Sequence, residues 1–268
     1  MSAAKPGAIR SVKVALKRLL FPVILFTRQR YRCVICGYFG PFAHKRTAKH
    51  LRSRLNAKCP SCSAMERHRF QWQILNEISA PSAWSQKSLL HFAPEPCLEE
   101  RLRSRFQTYV SADLFRSNVD QQVDVRDMPF ADNSFDVILC SMVLQYVEGY
   151  EGALKEIYRV LKPGGLAMMP VPMIHEKTND APAKDSILKM VVEPGPDFYD
   201  RYKDVFDTVT ICTSSDFSDE LHFFLEQTDD HPFPMTLSHQ KQADIIPVAF
   251  KAKPTVNLYA MFPIKALS

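Results

Sequence analysis

The sequence predicts a doubly wound α/β domain on a mostly parallel seven-stranded sheet, preceded by a small cysteine-bearing module and a basic helix. Three observations carry that prediction. From residue 87 onward, short apolar runs alternate with stretches of helical period, the pattern of a parallel sheet with right-handed crossovers. Ahead of it, two Cys-x-x-Cys pairs stand 22 residues apart. The charge is also split: residues 1–65 hold fourteen Lys and Arg and no acid, while the remainder carries 20 basic against 29 acidic residues.

The 268 residues suit one medium domain plus a small module, and 46% hydrophobic with 24% charged residues is ordinary for a globular chain. Only eight glycines occur, so a Gly-rich cofactor loop must be degenerate or missing. The basic N-terminal part suits an anionic surface such as a membrane, nucleic acid or acidic polymer, or else a solvated basic face. Residues 8–26 have helical amphipathic spacing, with Ile9, Val12, Leu16, Leu19, Leu20 and Val23 on one side and Arg10, Lys13 and Lys17 on the other. Such a helix fits a membrane surface, and it fits equally a helix docked on its own domain. The apolar run Leu19–Phe26 is broken by Pro22, too short to span a bilayer, and arginines follow it where a secretory signal would have small residues. With seven cysteines, an odd number, the expectation is a reducing, cytoplasmic location, peripheral to a membrane if the helix binds one.

Cys33-Val-Ile-Cys36 and Cys59-Pro-Ser-Cys62 each have the spacing of a zinc knuckle, and two knuckles close a tetrahedral four-thiolate site. Gly37 follows the first pair, where a knuckle favours positive φ. Four thiolates leave no open position, so Zn²⁺ is expected to be structural and to supply folding energy to a module too small for its own core. His44, His50 and His68 read as surface residues. The expected divisions are a basic helix over 1–32, a ribbon with linking helix over 33–80, and the α/β domain over 85–268.

Within the α/β domain, Ser88–Phe92 reads as a buried strand and Leu98–Phe106 as the helix after it. Thr108–Asp113, Gln122–Asp124 and Phe135–Ser141 read as strands two to four. Tyr150–Leu161 is an amphipathic helix stopped at Pro163-Gly164-Gly165, and Leu166–Val171 is the fifth strand. Asp197–Val205 reads as helix, with Thr208–Thr213 and Val256–Phe262 as the last strands. Residues 214–252 show no clean period and are expected as an insertion or lid.

Two stretches point to chemistry. One runs Asp124-Val-Arg-Asp-Met-Pro-Phe-Ala-Asp-Asn-Ser-Phe-Asp-Val-Ile-Leu-Cys-Ser141, and the other is Leu154-Lys-Glu-Ile-Tyr-Arg-Val-Leu-Lys-Pro-Gly-Gly165. Together they resemble the class I S-adenosylmethionine-dependent methyltransferases of the type 11 kind, over roughly residues 88–171. The loop Leu90-His-Phe-Ala-Pro-Glu95 and the segment Glu66-Arg-His-Arg69 further resemble a bacterial subset that carries an N-terminal Cys-x-x-Cys ribbon. The resemblance implies a Rossmann-like methyltransferase fold and S-adenosylmethionine as cofactor. It also implies a cofactor crevice at the carboxyl ends of the strands, at the switch point of the sheet.

On that reading Asp113, followed by Leu114, ends strand two and accepts from the ribose hydroxyls. Asp124 accepts from the adenine amino group, with the Val125 N–H near a ring nitrogen. His91, Phe92, Ala93 and Glu95 form the first loop, and Cys140 and Ser141 close the site after strand four. His91 replaces the usual acid, Ala93 and Glu95 replace usual glycines, and Glu95 is expected near the methionine amine. No general base stands out; Gln145, Tyr146, His175 and Glu176 are candidates. Three functions fit: a methyltransferase for a small-molecule, lipid or saccharide acceptor, a silent binding module that kept the fold, and a nucleic-acid methyltransferase using the basic ribbon. The Asn-Pro-Pro-Tyr motif of base-nitrogen methylation is absent after strand four.

Overall fold

The computed structural model describes residues 28–45, 54–183, 189–226 and 241–252. The basic helix expected over 8–26, His50 and the strand expected over 256–262 lie outside these residues. Among the described residues, no helix is long and apolar enough to cross a membrane.

The sheet has seven strands: β1 (Ser88–Phe92), β2 (Thr108–Asp113), β3 (Gln121–Gln122), β4 (Phe135–Cys140), β5 (Leu161–Met168), β6 (Thr208–Thr213) and β7 (Ile245–Phe250). Their order is β3-β2-β1-β4-β5-β7-β6. Pairing is parallel from β3 to β5, and β7 runs antiparallel to both β5 and β6. The chain leaves β1 toward one edge and returns at β4, so the switch point lies between the carboxyl ends of β1 and β4.

Helix α1 (Glu66–Ile78), α2 (Pro96–Arg105) and α3 (Tyr150–Val160) flank the sheet. Apolar side chains of β1, β4 and β5 point alternately to the two faces, as the pleat requires. Leu89, Val137 and Leu166 join a core with α1, α2 and the cysteine module, whereas Leu90, Ile138 and Ala167 join one with α3. On this second face Phe198 and Tyr202 come from residues Pro196–Asp204. Those residues form tight 3₁₀ turns rather than the expected α-helix, with Pro196 at the first turn.

The stretch read as an insertion over 214–252 contains a central strand. β7 includes Pro247, which ordinarily argues against a sheet interior. Pro247 pairs only with Ile211 of β6, because the pairing of β7 with β5 begins at Val248. The missing N–H is therefore not needed on the β5 side.

The Lys162-Pro-Gly-Gly165 turn is built into β5. Phe135 faces Leu161 and Val137 faces Leu166, so a two-residue step on β4 meets a five-residue step on β5. Gly164 has φ +78°, and a Cβ on Gly165 would lie 2.8 Å from the Lys162 carbonyl and 2.9 Å from that of Asp136. Lys162 Nζ reaches Asp136 Oδ2 at 2.7 Å, and the backbone N–H of Ser88 donates to the same oxygen at 2.9 Å. Arg159 closes the other half of this signature, donating to Glu156, Asp132 and the carbonyls of Met128 and Phe130. Lys162 and Asp136 thus staple the amino ends of the strands, away from the switch point.

Candidate functional site

The four cysteines converge as their spacing predicts. Their sulfur atoms all lie within 4.8 Å of one another, with Cys33–Cys62 and Cys36–Cys59 at 3.6 Å. A tetrahedron with metal–sulfur bonds of about 2.3 Å has edges of about 3.8 Å, so the set fits a zinc ion. The two knuckles match in backbone geometry. Gly37 N–H donates to the Cys33 carbonyl and Ser63 N–H to the Cys59 carbonyl, both at 2.9 Å, and both residues have positive φ, +76° and +65°. His44 takes the Asn56 N–H on Nδ1 and lies beside Arg28, clear of the sulfurs.

The module does not fold over a core of its own. Tyr31, Cys33, Ile35, Phe42 and Cys59 belong to the same buried cluster as Phe70, Ile74, Leu89 and Val137. Glu66-Arg-His-Arg69 is the joint. Glu66 accepts from Arg54 at 2.8 Å. Arg69, fully buried, donates to the carbonyls of Ala57 and Ala64 in the module and of His222 in the α/β domain.

The loop after β1 pairs His91 with a carboxylate. His91 Nε2 lies 2.8 Å from Glu95 Oε2, and His91 Nδ1 lies 2.8 Å from the Tyr109 hydroxyl. Glu95 accepts only if Nε2 carries the proton, so Tyr109 donates to Nδ1. Burial raises the Glu95 pKa, but the hydrogen bond from His91 outweighs it and, with the charge of Arg67, holds it down at about 2. A carboxylate therefore stands near the carboxyl end of β1, four residues after His91 and oriented by that buried histidine. Ala93 adopts φ +46°, the left-handed region that glycine ordinarily fills, and its N–H reaches the Ala112 carbonyl at 2.8 Å.

Asp113 ends β2. Its Oδ1 accepts from the Phe115 and Arg116 backbone N–H groups at 2.8 and 2.9 Å, and Oδ2 takes no hydrogen bond among the described residues. Leu114 and Phe115 beside it are exposed, Phe115 to 85%. Asp124 follows β3 on the same edge, but Arg126 covers both its oxygens, with Nη2 to Oδ2 at 2.6 Å and Nε to Oδ1 at 3.0 Å. Val125, Phe92 and Cys140 are buried, as is Ser141 at the end of β4.

Of the candidate bases, Tyr146 is half exposed and His175 Nε2 is held by Glu193 at 2.8 Å. Glu176 is exposed. Gln145 is fully buried, and neither polar atom of its side chain has a hydrogen-bond partner among the described residues. A cavity of about 1320 Å³ opens beyond it, lined by Val147–Tyr150, Asp180–Ala183, Val191, Val192 and Arg201.

Sequence reasoning missed the contribution of α1. His68, read as a surface residue, is buried because the module packs over α1; its Nε2 lies 3.7 Å from Glu95 Oε1. Gln71, three residues on and on the same helix face, reaches Ser141 Oγ at 3.3 Å. The signal available in sequence was the four polar residues Glu66, His68, Arg69 and Gln71 interrupting the period of Phe70, Ile74 and Ile78.

Comparison with known proteins agrees with this geometry. The family described as "Methyltransferase domain" matches residues 98–169. The ubiquinone/menaquinone biosynthesis C-methyltransferase of Klebsiella pneumoniae is 31% identical over 122 residues, 45% of this chain and 42% of that protein. The demethylmenaquinone methyltransferase of Staphylococcus epidermidis is 49% identical over 45 residues, 17% of this chain and 19% of its own. The chain thus spans less than half the length of these relatives. Among solved structures, the YcgJ protein of Bacillus subtilis is similar over 68% of this chain and 99% of its own, at 14% identity and TM-score 0.45. Phosphoethanolamine N-methyltransferase 2 of Haemonchus contortus, solved with S-adenosyl-L-methionine, is similar over 69% and 52%, at 13% identity and TM-score 0.48. Residues 98–169 thus match a methyltransferase domain, and they lie in a seven-stranded sheet joined through α1 to a four-cysteine module.

Proposed function

We propose that the protein is an S-adenosylmethionine-dependent methyltransferase acting on a small-molecule acceptor, with a structural zinc ion in the four-cysteine module. The observation that carries this reading is the ionised Glu95 at the β1/β4 switch point, held by His91 where an open α/β sheet takes its ligand. The cofactor supplies a methyl group on a sulfonium centre, which carries a positive charge and needs little further activation.

The chain's residues then bind and orient. Glu95 offers the negative charge that favours a cationic ligand and receives its ammonium group. Asp113 offers Oδ2 to the ribose hydroxyls while Oδ1 keeps the turn in place. Asp124 reaches an adenine amino group once Arg126 swings aside, a movement open to a side chain at the surface. Phe92, Ala93 and Cys140 exclude water from the crevice, which favours an in-line displacement by positioning and desolvation. The cavity beyond Gln145 is large enough for a small organic acceptor. The relatives named for quinone methylation support that class.

Calorimetric titration of S-adenosylmethionine into the metal-loaded protein tests the reading, with Asp113→Ala alongside. Micromolar binding that the variant loses is the expected result. No binding by folded wild type overturns it, and leaves a methyltransferase fold used as a binding module. Metal analysis is expected to return one zinc per chain.

A further inference from the structure

Helix α1 carries four buried polar residues on its first turns, and two of them, Glu66 and Arg69, bond the cysteine module. Glu66 is paired with Arg54, and Arg69 is spent on three carbonyls. His68 and Gln71 are different. The Met65 backbone N–H donates to His68 Nδ1 at 3.2 Å, which fixes the proton on Nε2. That N–H points toward Glu95 Oε1 but stops at 3.7 Å, beyond hydrogen-bond reach, and has no other partner among the described residues. Gln71 is fully buried; one end of its amide faces Ser141 Oγ and the other, Oε1, has no partner among the described residues. Glu66 Oε1, Arg67 Nε and Arg69 Nε on the same helix also lack a partner among the described residues. Unpaired buried polar groups cost about 1–3 kcal/mol each, and His68 Nε2 and Gln71 Oε1 are distinguished by belonging to side chains that face the carboxyl ends of β1 and β4.

His68 faces Glu95 at the carboxyl end of β1, and Gln71 faces Ser141 at the carboxyl end of β4. The two residues therefore stand against the carboxyl ends of the two strands that flank the switch point. They present one N–H donor and one carbonyl acceptor beside a carboxylate whose Oε1 is free of strong hydrogen bonds. An α-amino acid zwitterion needs that combination: acceptors for its ammonium and a donor for its carboxylate.

We propose that His68 and Gln71 of α1 clamp the amino-acid end of the cofactor, so that the cysteine module anchors part of the cofactor site. His68 Nε2–H donates to the ligand carboxylate. Gln71 Oε1 and Glu95 Oε1 accept from its ammonium. Arg69, between the two, locks the helix to both module and domain and so sets their register. This rests on the cofactor reading above and goes beyond it, because it assigns the specificity for the amino-acid moiety to a helix outside the sheet.

The test is calorimetry on the full, metal-loaded chain with two probes, S-adenosylhomocysteine and 5′-methylthioadenosine, which lacks the amino-acid end. His68→Asn removes the Nε2 donor while keeping an acceptor near the Met65 N–H. Gln71→Leu keeps the buried volume. Gln73→Ala, whose side-chain amide donates to Glu77 one turn on, is the control. Each is checked for metal content and melting temperature. The expected result is about tenfold or greater weakening of S-adenosylhomocysteine in both variants, the effect of one charge-assisted hydrogen bond, with methylthioadenosine and the control unchanged. Equal loss for both probes means that α1 acts only through the fold and overturns the clamp, as does unchanged S-adenosylhomocysteine binding. Failure of wild type to bind either probe overturns the cofactor reading itself.

Discussion

Acidification between pH 7 and 4 tests the burial of His68. Burial lowers its pKa from 6.5 to about 4, reinforced by Arg67, Arg69 and Lys45 and opposed by Glu95. A group depressed in the folded state binds its proton more readily when unfolded. The stability it contributes is thus fully present above pH 6.5 and is lost as pH falls toward 4. At about 1.4 kcal/mol per tenfold, the loss between pH 7 and 4 is about 3 kcal/mol. The side chain is only 10% exposed, so solvent screening takes little from that figure. Urea unfolding of wild type and His68→Asn at half-unit steps of pH isolates the contribution, because loss of metal from the thiolates affects both proteins alike. The stability difference between them should shrink or reverse by about 3 kcal/mol across the range. Parallel curves would refute the burial of a neutral histidine at this site.

Two further outcomes follow from the packing. Gly165→Ala should destabilise by about 2–3 kcal/mol, because its Cβ would meet two backbone carbonyls that cannot move aside; Gly164→Ala, strained in φ but facing open space, should cost about 1 kcal/mol. Comparing the two melting temperatures checks the order. Cys59→Ser should abolish stoichiometric zinc and lower the melting temperature of the whole chain in a single transition, since Cys59 and Val137 share one core; two separate transitions by calorimetry would show a module that folds alone.

What the sequence made legible was local. Cys33, Cys36, Cys59 and Cys62 announce themselves by spacing, and Asp136, Lys162 and Gly165 by a contiguous motif whose residues contact one another. Asp113 was legible as the end of an apolar run. The β7 strand was not, because Pro247 is acceptable only where β5 stops short of it, a fact of register that no local pattern encodes. His68, Arg69 and Gln71 were illegible for a similar reason. Arg69 meets His222 across 153 residues and Gln71 meets Ser141 across 70, and a short helix between two modules reads as a linker until both have been placed against it. The exchange of the first-loop acid was half visible: Glu95 was expected at the site, but its partnership with His91 depends on the turn at Ala93.

The shared core changes what counts as the smallest foldable piece of this molecule. A fragment starting at residue 85, where the strand–helix alternation suggests a boundary, would uncover Leu89, Leu98, Leu102, Val137 and Phe250 together, all buried beneath α1 and the cysteine module. Such a fragment should aggregate rather than fold, and a protease cutting between the module and the sheet should destroy both halves at once. Gain or loss of the module during descent would then require wholesale redesign of one sheet face.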